Sequence, residues 1–546
     1  MTLSARRFLV RCALALVGAC ALLAAGAPAA GAHAYLQRST PAQGSVVKTS
    51  PPLLTLHFSE QVGTSLAGIQ VLDAAGSNVA TGPVIQPFNV GSDLAVQLRP
   101  ALPDGSYLVV WRVVSDDSHP TAGSYSFSVG RAGVVATAAT ATPDPDVGAV
   151  LGFGRLLGFV GVAAFFGGVA FLLLCWPSGA TSRVAMRTLG VGWLLAIVGA
   201  ISSLLLEGPY GAGLSIAHVT DWSLVRGVAE TRYGQALLAR IVLLLLAAAA
   251  GWRLLLRPRR PAVATFGALA LATLVTFPYT GHPSVGGRVP LAVLSDVLHL
   301  AAMSLWFGGL LQLCVVVLPD EDAVTVRAAA VRFSRVAMAS VAVLVVTGLY
   351  QAWREAGIVG ALTSTRYGNL LLVKSGLVVA VLLVAELSRR WVGKAAAAEE
   401  APSPRRLGLS VSIETAVVVV VLAVTSLLVS DVPARTDYRP TSDLRLVAGP
   451  VHLGLTVDPA ATRVLDVRVD STDAAGRPMD VAEMTLTLQL AAPAAGPLNV
   501  KLAPIGSDQF QATGVQLPYT GRWDFTLIAR TSDTQEYTGR AAVQVR

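Results

Sequence analysis

Residues 290–317 read PLAVLSDVLHLAAMSLWFGGLLQLCVVV, and this apolar stretch decides the class of fold. A helix of that length, rising ~1.5 Å per residue, exceeds the ~30 Å thickness of the hydrocarbon core of a bilayer. About seven further stretches predict membrane-spanning helices in the same way: 149–175, 186–206, 235–256, 262–279, 334–353, 370–388 and 409–430. We therefore expect a multidomain membrane protein built around an eight-helix transmembrane bundle.

The composition of the 546-residue chain agrees with a membrane location, because 53% of its residues are hydrophobic and only 14% are charged. Soluble domains are about a quarter charged. The formal net charge of +8 is spread too thinly to form a phosphate-binding surface, so we exclude nucleic acid as a partner. The sequence also lacks a G-x-x-x-x-G-K-[ST] motif, which excludes a nucleotide-driven pump.

The bundle is predicted to consist of two four-helix halves of the same orientation. Residues 231–234 (TRYG) recur as residues 365–368, and residues 166–168 (FGG) recur as residues 307–309. Parallel repeats of this kind occur in transporters, whose binding sites often lie between the halves. The alternative is that Tyr-Gly simply marks an interfacial helix start twice.

Two soluble β-domains are predicted to flank the bundle. Short alternating stretches separated by Pro, Gly, Asn and Asp fill residues 36–129 and suggest a β-sandwich, and a similar pattern fills residues 447–545. The predicted organisation is a signal peptide (1–32), a first sandwich (33–130), a linker (131–146), a transmembrane domain (147–430), a second linker (431–446) and a C-terminal β-domain (447–546).

The N-terminus has the features of a secretion signal. Arg6 and Arg7 precede an apolar stretch that ends in the small residues 30–32 (AGA), directly before His33. This order is typical of a cleaved signal peptide, so His33 is predicted to be the first residue of the mature protein. Cys20 offers a competing cleavage site of the lipoprotein type.

The distribution of basic residues predicts the orientation of the bundle. With the first sandwich outside, the loops facing the cytoplasm contain fourteen Arg and Lys residues and the opposite loops contain five. This asymmetry obeys the positive-inside rule. Because the number of spans is even, we expect both soluble domains to be extracytoplasmic, on the periplasmic side of the plasma membrane.

A metal site is predicted in the first domain. A mature N-terminal His33 offers both its α-amine and its imidazole to one ion, and Asp117 and His119 are two apart, so an extended chain points them to the same side. Three nitrogens and a carboxylate suit Cu(II), with zinc as the alternative. Taken singly, these features also fit a chance N-terminal histidine and a hydrogen-bonded turn. His57 fits a partly buried strand histidine better than a ligand.

Three further stretches surround these ligands: HAYLQRSTPAQGSVV (33–47), FSE (58–60) and YLVVWRVV (107–114). Together with the ligands they resemble the CopC family of exported copper-binding proteins. The resemblance implies that His33, Asp117 and His119 bind Cu(II) and that Glu60 lies near the metal without binding it. Residues 34–129 contain no methionine, so the Met-rich Cu(I) site of some family members is missing.

A second candidate site lies inside the bundle. His299 and Met303 are four residues apart and share a helical face, which pairs an imidazole with a thioether and favours copper. A histidine within an apolar helix is costly to leave without a partner. From Pro290, His299 lies about 14 Å along the helix, and His282, at the end of the fourth span, is placed to receive the ion first. The alternatives are that His299 makes only an interhelical hydrogen bond, that Met303 serves only for packing and that His282 is an ordinary loop residue.

The stretch LHLAAMSLWFGG (298–309) and the pattern T-x-Y-G-x-x-L-L-x-K that ends at Lys374 resemble the CopD family. Lys374 and its counterpart Arg240 lie about one turn inside their helices, where long side chains can snorkel, and we assign both to packing or orientation. Glu207, at the outer end of the second span, is expected at the membrane interface. The C-terminal domain resembles the YtkA-like sandwich family, which implies a structural or docking role. The stretches that carry this last resemblance are 449–451 (GPV), 473–478 (DAAGRP), 481–483 (VAE) and 521–523 (GRW).

These features predict a copper transport and homeostasis protein, not an enzyme, whose partners are copper ions and the lipid bilayer. It would bind Cu(II) outside the cytoplasm and pass copper to a transmembrane pathway, most plausibly for uptake. The first alternative is a copper-resistance buffer or sensor without transport, and the second is a histidine-brace copper redox enzyme. A haem protein is disfavoured because His299 is the only histidine well inside a span.

Overall fold

A computed structural model describes most of the chain. The described residues are 34, 36–42, 45–87, 90–115, 120–131, 145–257, 259–285, 288–357, 359–397, 404–438, 442–458, 464–490, 495–517, 521–532 and 534–545. The predicted signal peptide and the predicted ligands His33, Asp117 and His119 lie outside the described residues. The chain divides into two compact units. The first ends at Thr436 and the second begins at Asp437.

The first domain is a sandwich of two four-stranded sheets, as predicted. One sheet has the order β1 (Leu36–Thr40), β3 (Leu53–Phe58), β6 (Asp93–Leu98) and β5 (Ala80–Ile85). The other has the order β2 (Val46–Val47), β8 (Pro120–Val129), β7 (Gly105–Ser115) and β4 (Val62–Leu72). Alternating residues of β3, among them Leu54, Leu56 and Phe58, are buried between the sheets, as a strand period of two requires. Phe58 packs edge-on against Trp111 with 5.2 Å between ring centroids.

Among the residues that the structure describes, eight helices are long and apolar enough to cross a membrane, which confirms the predicted number. We number them as spans 1–8: Asp146–Leu174, Arg183–Ala212, Arg232–Leu256, Arg260–Thr280, Val289–Val317, Ala323–Ala356, Arg366–Leu387 and Gly408–Val429. Spans 1–4 are called the N-terminal half and spans 5–8 the C-terminal half. Spans 1 and 5 each contain a π-helical segment, Ala163–Gly167 and Leu313–Val317.

The repeated TRYG motif forms the same helix start in both halves. Thr231 is the N-cap of span 3, and its hydroxyl accepts a hydrogen bond from the Gly234 amide at 3.1 Å. The hydroxyl of Thr365 accepts the corresponding bond from Gly368 at 3.0 Å. A short helix precedes each cap, Trp222–Glu230 and Val359–Ser364. The motif therefore combines an N-cap with a repeated supersecondary unit.

The repeated FGG motif joins the two halves. A Cβ added to Gly308 would lie 2.6 Å from the Cα of Gly167, so the backbones of spans 1 and 5 approach each other where both motifs lack side chains. Close contacts between small residues are a common way for membrane helices to associate. The two spans that begin the halves thus cross at equivalent points of the repeat.

The C-terminal unit has one five-stranded and one four-stranded sheet. Their orders are β14 (Ala503–Pro504), β15 (Gln509–Gln516), β11 (Val464–Thr472), β10 (Val451–Asp458) and β9 (Ser442–Ala448), and β13 (Ala495–Lys501), β12 (Glu483–Leu490), β16 (Gly521–Ser532) and β17 (Gln535–Val545). Strand β9 overlaps the end of the segment 431–446 that the sequence assigned to a linker, and its Leu446 and Ala448 alternate into the core. The unit therefore begins earlier than residue 447.

Trp523 is the largest fully buried side chain of this unit, at 0% exposure. We expect Trp523→Ala to destabilise the unit by about 3–5 kcal/mol, because removal of a buried aromatic side chain leaves a cavity. Urea-dependent proteolysis of the full chain, followed through the C-terminal fragment, measures this loss. Trp222, which is 74% exposed, gives the matched control, and an equal loss in Trp222→Ala would contradict the assignment.

Candidate metal sites

The described residues next to the predicted sandwich ligands are held together at one end of the domain. Strand β7 ends at Ser115 and β8 begins at Pro120, on either side of the segment that contains Asp117 and His119. The Thr121 hydroxyl donates a hydrogen bond to the carbonyl oxygen of Ala34 at 3.2 Å, and Ala34 is buried. Ala34, the residue that follows His33, is therefore hydrogen-bonded to Thr121, which lies two residues after His119 in the sequence.

The other two polar residues of this end have local roles. His57 lies on β3 opposite Asp93 of β6, and its Nδ1 contacts the Asp93 carboxylate. This pair gives the imidazole a partner within the sheet and agrees with a structural histidine. Glu60 follows β3 directly and is half-buried, so the chain places it between β3 and β4.

The sandwich is docked on the end of span 2. Arg112 on β7 donates from Nε to the Gly211 carbonyl oxygen at 2.5 Å and from Nη2 to the Tyr210 carbonyl oxygen at 2.9 Å. These carbonyls belong to the last turn of the helix, where the macrodipole favours a cation. Leu66 and Val114 contact the same turn, since a Cβ on Gly211 would lie 3.2 Å from each. The sandwich thus sits at the end of the bundle where spans 1, 3, 5 and 7 begin.

The imidazole of His299 has a partner on a neighbouring span. Nδ1 lies 2.8 Å from the Thr347 hydroxyl oxygen on span 6, and the same hydroxyl oxygen lies 2.7 Å from the Val343 carbonyl oxygen. In the tautomer that carries its proton on Nδ1, the hydroxyl accepts from His299 and donates to Val343, and the Nε2 lone pair is left for a metal ion. Metal-binding histidines are typically oriented in this way by a partner on the other ring nitrogen.

Met303 lies one turn further into span 5 and is buried in the core of the bundle. Its position relative to His299 places a thioether next along the same helical face. His282 is also buried, in the loop between spans 4 and 5. Arg354 holds this loop by donating to the carbonyl oxygens of His282 at 3.0 Å and Val285 at 2.5 Å.

Sequence reasoning missed a charged group beside this site. Asp296 lies three residues before His299 on span 5, and the Gln351 amide donates to its carboxylate at 3.1 Å. The titratable groups near Asp296 are Lys374, Glu355, Arg354 and His282, in decreasing order of their effect on its carboxylate. Within the part of the chain that the structure describes, no three His, Cys, Asp or Glu side chains converge closely enough to hold a metal ion.

One expectation about a charged residue was wrong. Glu207 is 2% exposed and pairs with Arg155, whose Nη2 lies 3.4 Å from its carboxylate, so it belongs to the protein interior. Glu207 differs from the prediction because a neighbouring helix supplies its partner, and the sequence does not show which helices are neighbours. Arg240 donates to the Thr276 hydroxyl at 2.8 Å, a contact between neighbouring helices that is compatible with the predicted packing role.

Comparison with known families agrees with this arrangement. Residues 36–130 match the CopC domain model, residues 145–288 match the model "Copper resistance protein D-like, N-terminal domain", and residues 327–428 match "Copper resistance protein D". A sandwich and a bundle of these kinds in one chain define a membrane protein of the copper transport and resistance class. The chain belongs to the CopC family through its first domain and contains the CopD domains in the same polypeptide.

Two relatives by sequence support the same assignment, and one solved structure is similar to the first domain in sequence. The chain is 27% identical over 487 residues to the copper transport protein CutJ of Bacillus subtilis, which covers 84% of this chain and 85% of CutJ. Copper resistance protein C of Pseudomonas syringae pv. tomato is 37% identical over 105 residues, 18% of this chain and 82% of that protein. The solved structure of CopC from Methylosinus trichosporium OB3b is 32% identical and covers 18% of this chain and 93% of its own, with a TM-score of 0.17.

Proposed function

We propose that the protein binds Cu(II) outside the cytoplasm with its sandwich and passes copper into the bundle for uptake. In this proposal the plasma membrane holds spans 1–8 with the sandwich side outward, as the distribution of basic residues favours. His33, Asp117 and His119 capture the ion, with Glu60 close by. His282 then receives it, followed by His299 and Met303.

The observation that carries the proposal is the docked position of the sandwich. Arg112 attaches the sandwich to span 2 at the end of the bundle near which His282 is buried. Transfer within one chain does not require a second protein to diffuse and collide. The Nε2 lone pair of His299 supports the membrane step, because neutral imidazole nitrogen is a good copper ligand.

Direction is tested by copper content. Cells that express the full chain are expected to contain more copper than cells with an empty vector at equal external copper. Lower content together with greater copper tolerance would instead identify a resistance function. Unchanged content with intact copper binding would leave a buffer or sensor, and oxygen-dependent turnover by the copper-loaded protein would indicate a redox enzyme.

Loss of the docking contact should uncouple capture from transfer. Arg112→Ala removes two charge-assisted hydrogen bonds, each worth about 1.5–3 kcal/mol, and is expected to reduce copper uptake at least tenfold. Cu(II) binding by the purified full chain should be unchanged, since Arg112 is not a predicted ligand. Arg99→Ala, an exposed arginine of the same domain, is the matched control. Normal uptake by Arg112→Ala would remove docking from the proposal.

The Thr347 hydroxyl is expected to act as a positioning group for His299. Thr347→Val removes the acceptor of the Nδ1 proton and should weaken copper binding in the bundle by about 10–100-fold. Thr347→Ser keeps the hydroxyl and should bind copper better than Thr347→Val. If Thr347 served only for packing, Thr347→Val, which keeps the shape of the side chain, should bind copper better than Thr347→Ser. The measurement is the amount of copper that the purified protein retains when its predicted sandwich ligands have also been mutated, so that only the bundle can bind the ion. Equal binding by the valine and serine variants would contradict this role.

A further inference from the structure

A partly open cavity of ≈ 70 Å³ lies mainly between spans 1–4, with Val429 of span 8 completing its wall, and the copper pathway described above does not use it. Arg155 and Arg240 line it, together with the polar residues Ser203, Tyr233 and Thr280. The other lining residues are mostly apolar, and among the described residues that line it there is no carboxylate. Cationic side chains within a membrane domain are costly and tend to mark functional sites.

Within the described ranges, Glu207 is the one anionic side chain that pairs with Arg155. Its Nη1 donates to the Ser430 hydroxyl at 2.6 Å, and its Nη2 lies 3.4 Å from the Glu207 carboxylate. The side chains of Arg155 and Glu207 are only 10% and 3% exposed. Glu207 therefore balances one positive charge of this cluster and no more.

Arg240 has no such partner among the described residues. Its Nε and Nη2 donate to the hydroxyl and the carbonyl oxygen of Thr276 at 2.8 and 3.0 Å, and both acceptors are neutral. Its guanidinium group stacks 3.6 Å from the centroid of the Phe277 ring. The titratable groups that interact with it electrostatically are Tyr233 and Arg155. With two guanidinium groups and one carboxylate, the cluster has an excess of one positive charge.

The corresponding positions of the C-terminal half are balanced. Asp296 precedes Phe307 by the same number of residues as Arg155 precedes Phe166, and Lys374 follows Thr365 as Arg240 follows Thr231. One acidic and one basic group therefore stand where the N-terminal half has two basic groups. The excess of positive charge is a property of one half and not of the repeated fold.

We infer that the cavity between spans 1–4 binds a small monovalent inorganic anion of halide size, with Arg155 and Arg240 as its charge partners. The space exceeds the ~30 Å³ that a water molecule occupies in the liquid, so a halide ion has room. A multivalent anion would over-compensate the single excess charge. The same positive charge repels copper ions from this half, so the cation and the anion would occupy different halves of the repeat.

Chloride is the probe that tests the inference, and the experiment contains no copper, so its failure is separate from failure of the proposed copper function. Purified full chain in detergent is dialysed at constant ionic strength against radioactive chloride, with gluconate as the replacement anion. We expect one chloride to bind per chain and chloride to raise the unfolding temperature by about 2–4 °C relative to gluconate.

Arg240→Gln should lose both chloride binding and the chloride-dependent stabilisation, whereas Arg240→Lys should keep part of each. Lys374→Gln, the equivalent change in the C-terminal half, is the matched control and should behave like the wild type. No bound chloride in the wild type would overturn the inference, even if every variant failed to fold. Full binding by Arg240→Gln, or equal loss in Lys374→Gln, would also overturn it.

Discussion

Replacement of His299 by alanine is expected to lower copper accumulation to the level of cells that lack the protein. The change removes the imidazole that is the proposed copper ligand of span 5 and whose other nitrogen, Nδ1, lies 2.8 Å from the Thr347 hydroxyl oxygen. Substitution of a group that only orients a ligand costs about 10–100-fold in metal affinity, so loss of the ligand itself should cost more.

Two measurements separate transport from binding in this variant. Copper accumulation is followed in whole cells, and Cu(II) affinity is followed on the purified full chain by competition with a chelator. His299→Ala should abolish copper accumulation and leave the Cu(II) affinity unchanged, since the sandwich is intact. Met303→Leu, which keeps volume and loses the thioether, should reduce accumulation less severely.

His218 provides the matched control for His299. It is an exposed histidine in the loop between spans 2 and 3, and its Nδ1 lies 3.4 Å from the Ser215 hydroxyl. His218→Ala should accumulate copper normally. If His299→Ala also accumulated copper normally, the pathway through span 5 would be disproved and the hydrogen bond to Thr347 would be its only role.

The number of spans and the sandwich could be predicted because both depend on local patterns. Stretches such as residues 290–317 are too long and apolar to be anything but membrane helices, and they appear as span 5 with nearly the predicted bounds. Likewise, β3 occupies Leu53–Phe58, where the alternation of apolar residues predicts a strand. Patterns of this kind do not depend on distant parts of the chain.

The charged clusters could not be predicted because they depend on which helices are neighbours. Arg155 and Glu207 are on different spans, and nothing in the local sequence of either indicates the other. One signal was present: the spacing from the repeated FGG motifs pairs Arg155 with Asp296. Because Arg155 and Asp296 occupy equivalent positions of the two halves, their ionisable side chains could have been predicted to lie in the interior of the bundle and not at the membrane interface.

The repeat motifs show how sequence and packing explain each other. In sequence, TRYG predicts an internal repeat, with a helix start that happens to occur twice as the alternative. The structure shows that both occurrences start a helix in the same way, since Thr231 and Thr365 cap their helices with the same hydrogen bond. The FGG motif needed the structure, because only the crossing of Gly167 and Gly308 explains why side chains are excluded there.

The second large effect is expected at the N-terminus of the mature sandwich. His33→Ala should weaken Cu(II) binding by the full chain by at least ~100-fold, since it removes the imidazole of a proposed chelate ring and leaves the α-amine as a single ligand. His119→Ala should have an effect of similar size. His452, which lies on β10 of the C-terminal unit, gives the matched control, and His452→Ala should bind Cu(II) as the wild type does.

A stricter variant tests the α-amine directly. Insertion of one glycine between the cleavage site and His33 keeps every side chain but moves the free amine away from the imidazole. If the amine and the imidazole of the same residue bind one ion, the insertion should cost about as much Cu(II) affinity as His33→Ala. Because Thr121 fixes Ala34 by a hydrogen bond at 3.2 Å, the inserted residue lies beyond a fixed point and should not disturb the sandwich. Unchanged affinity in the insertion variant, with N-terminal sequencing confirming the added glycine, would exclude the α-amine as a ligand and leave imidazole and carboxylate groups to bind the ion.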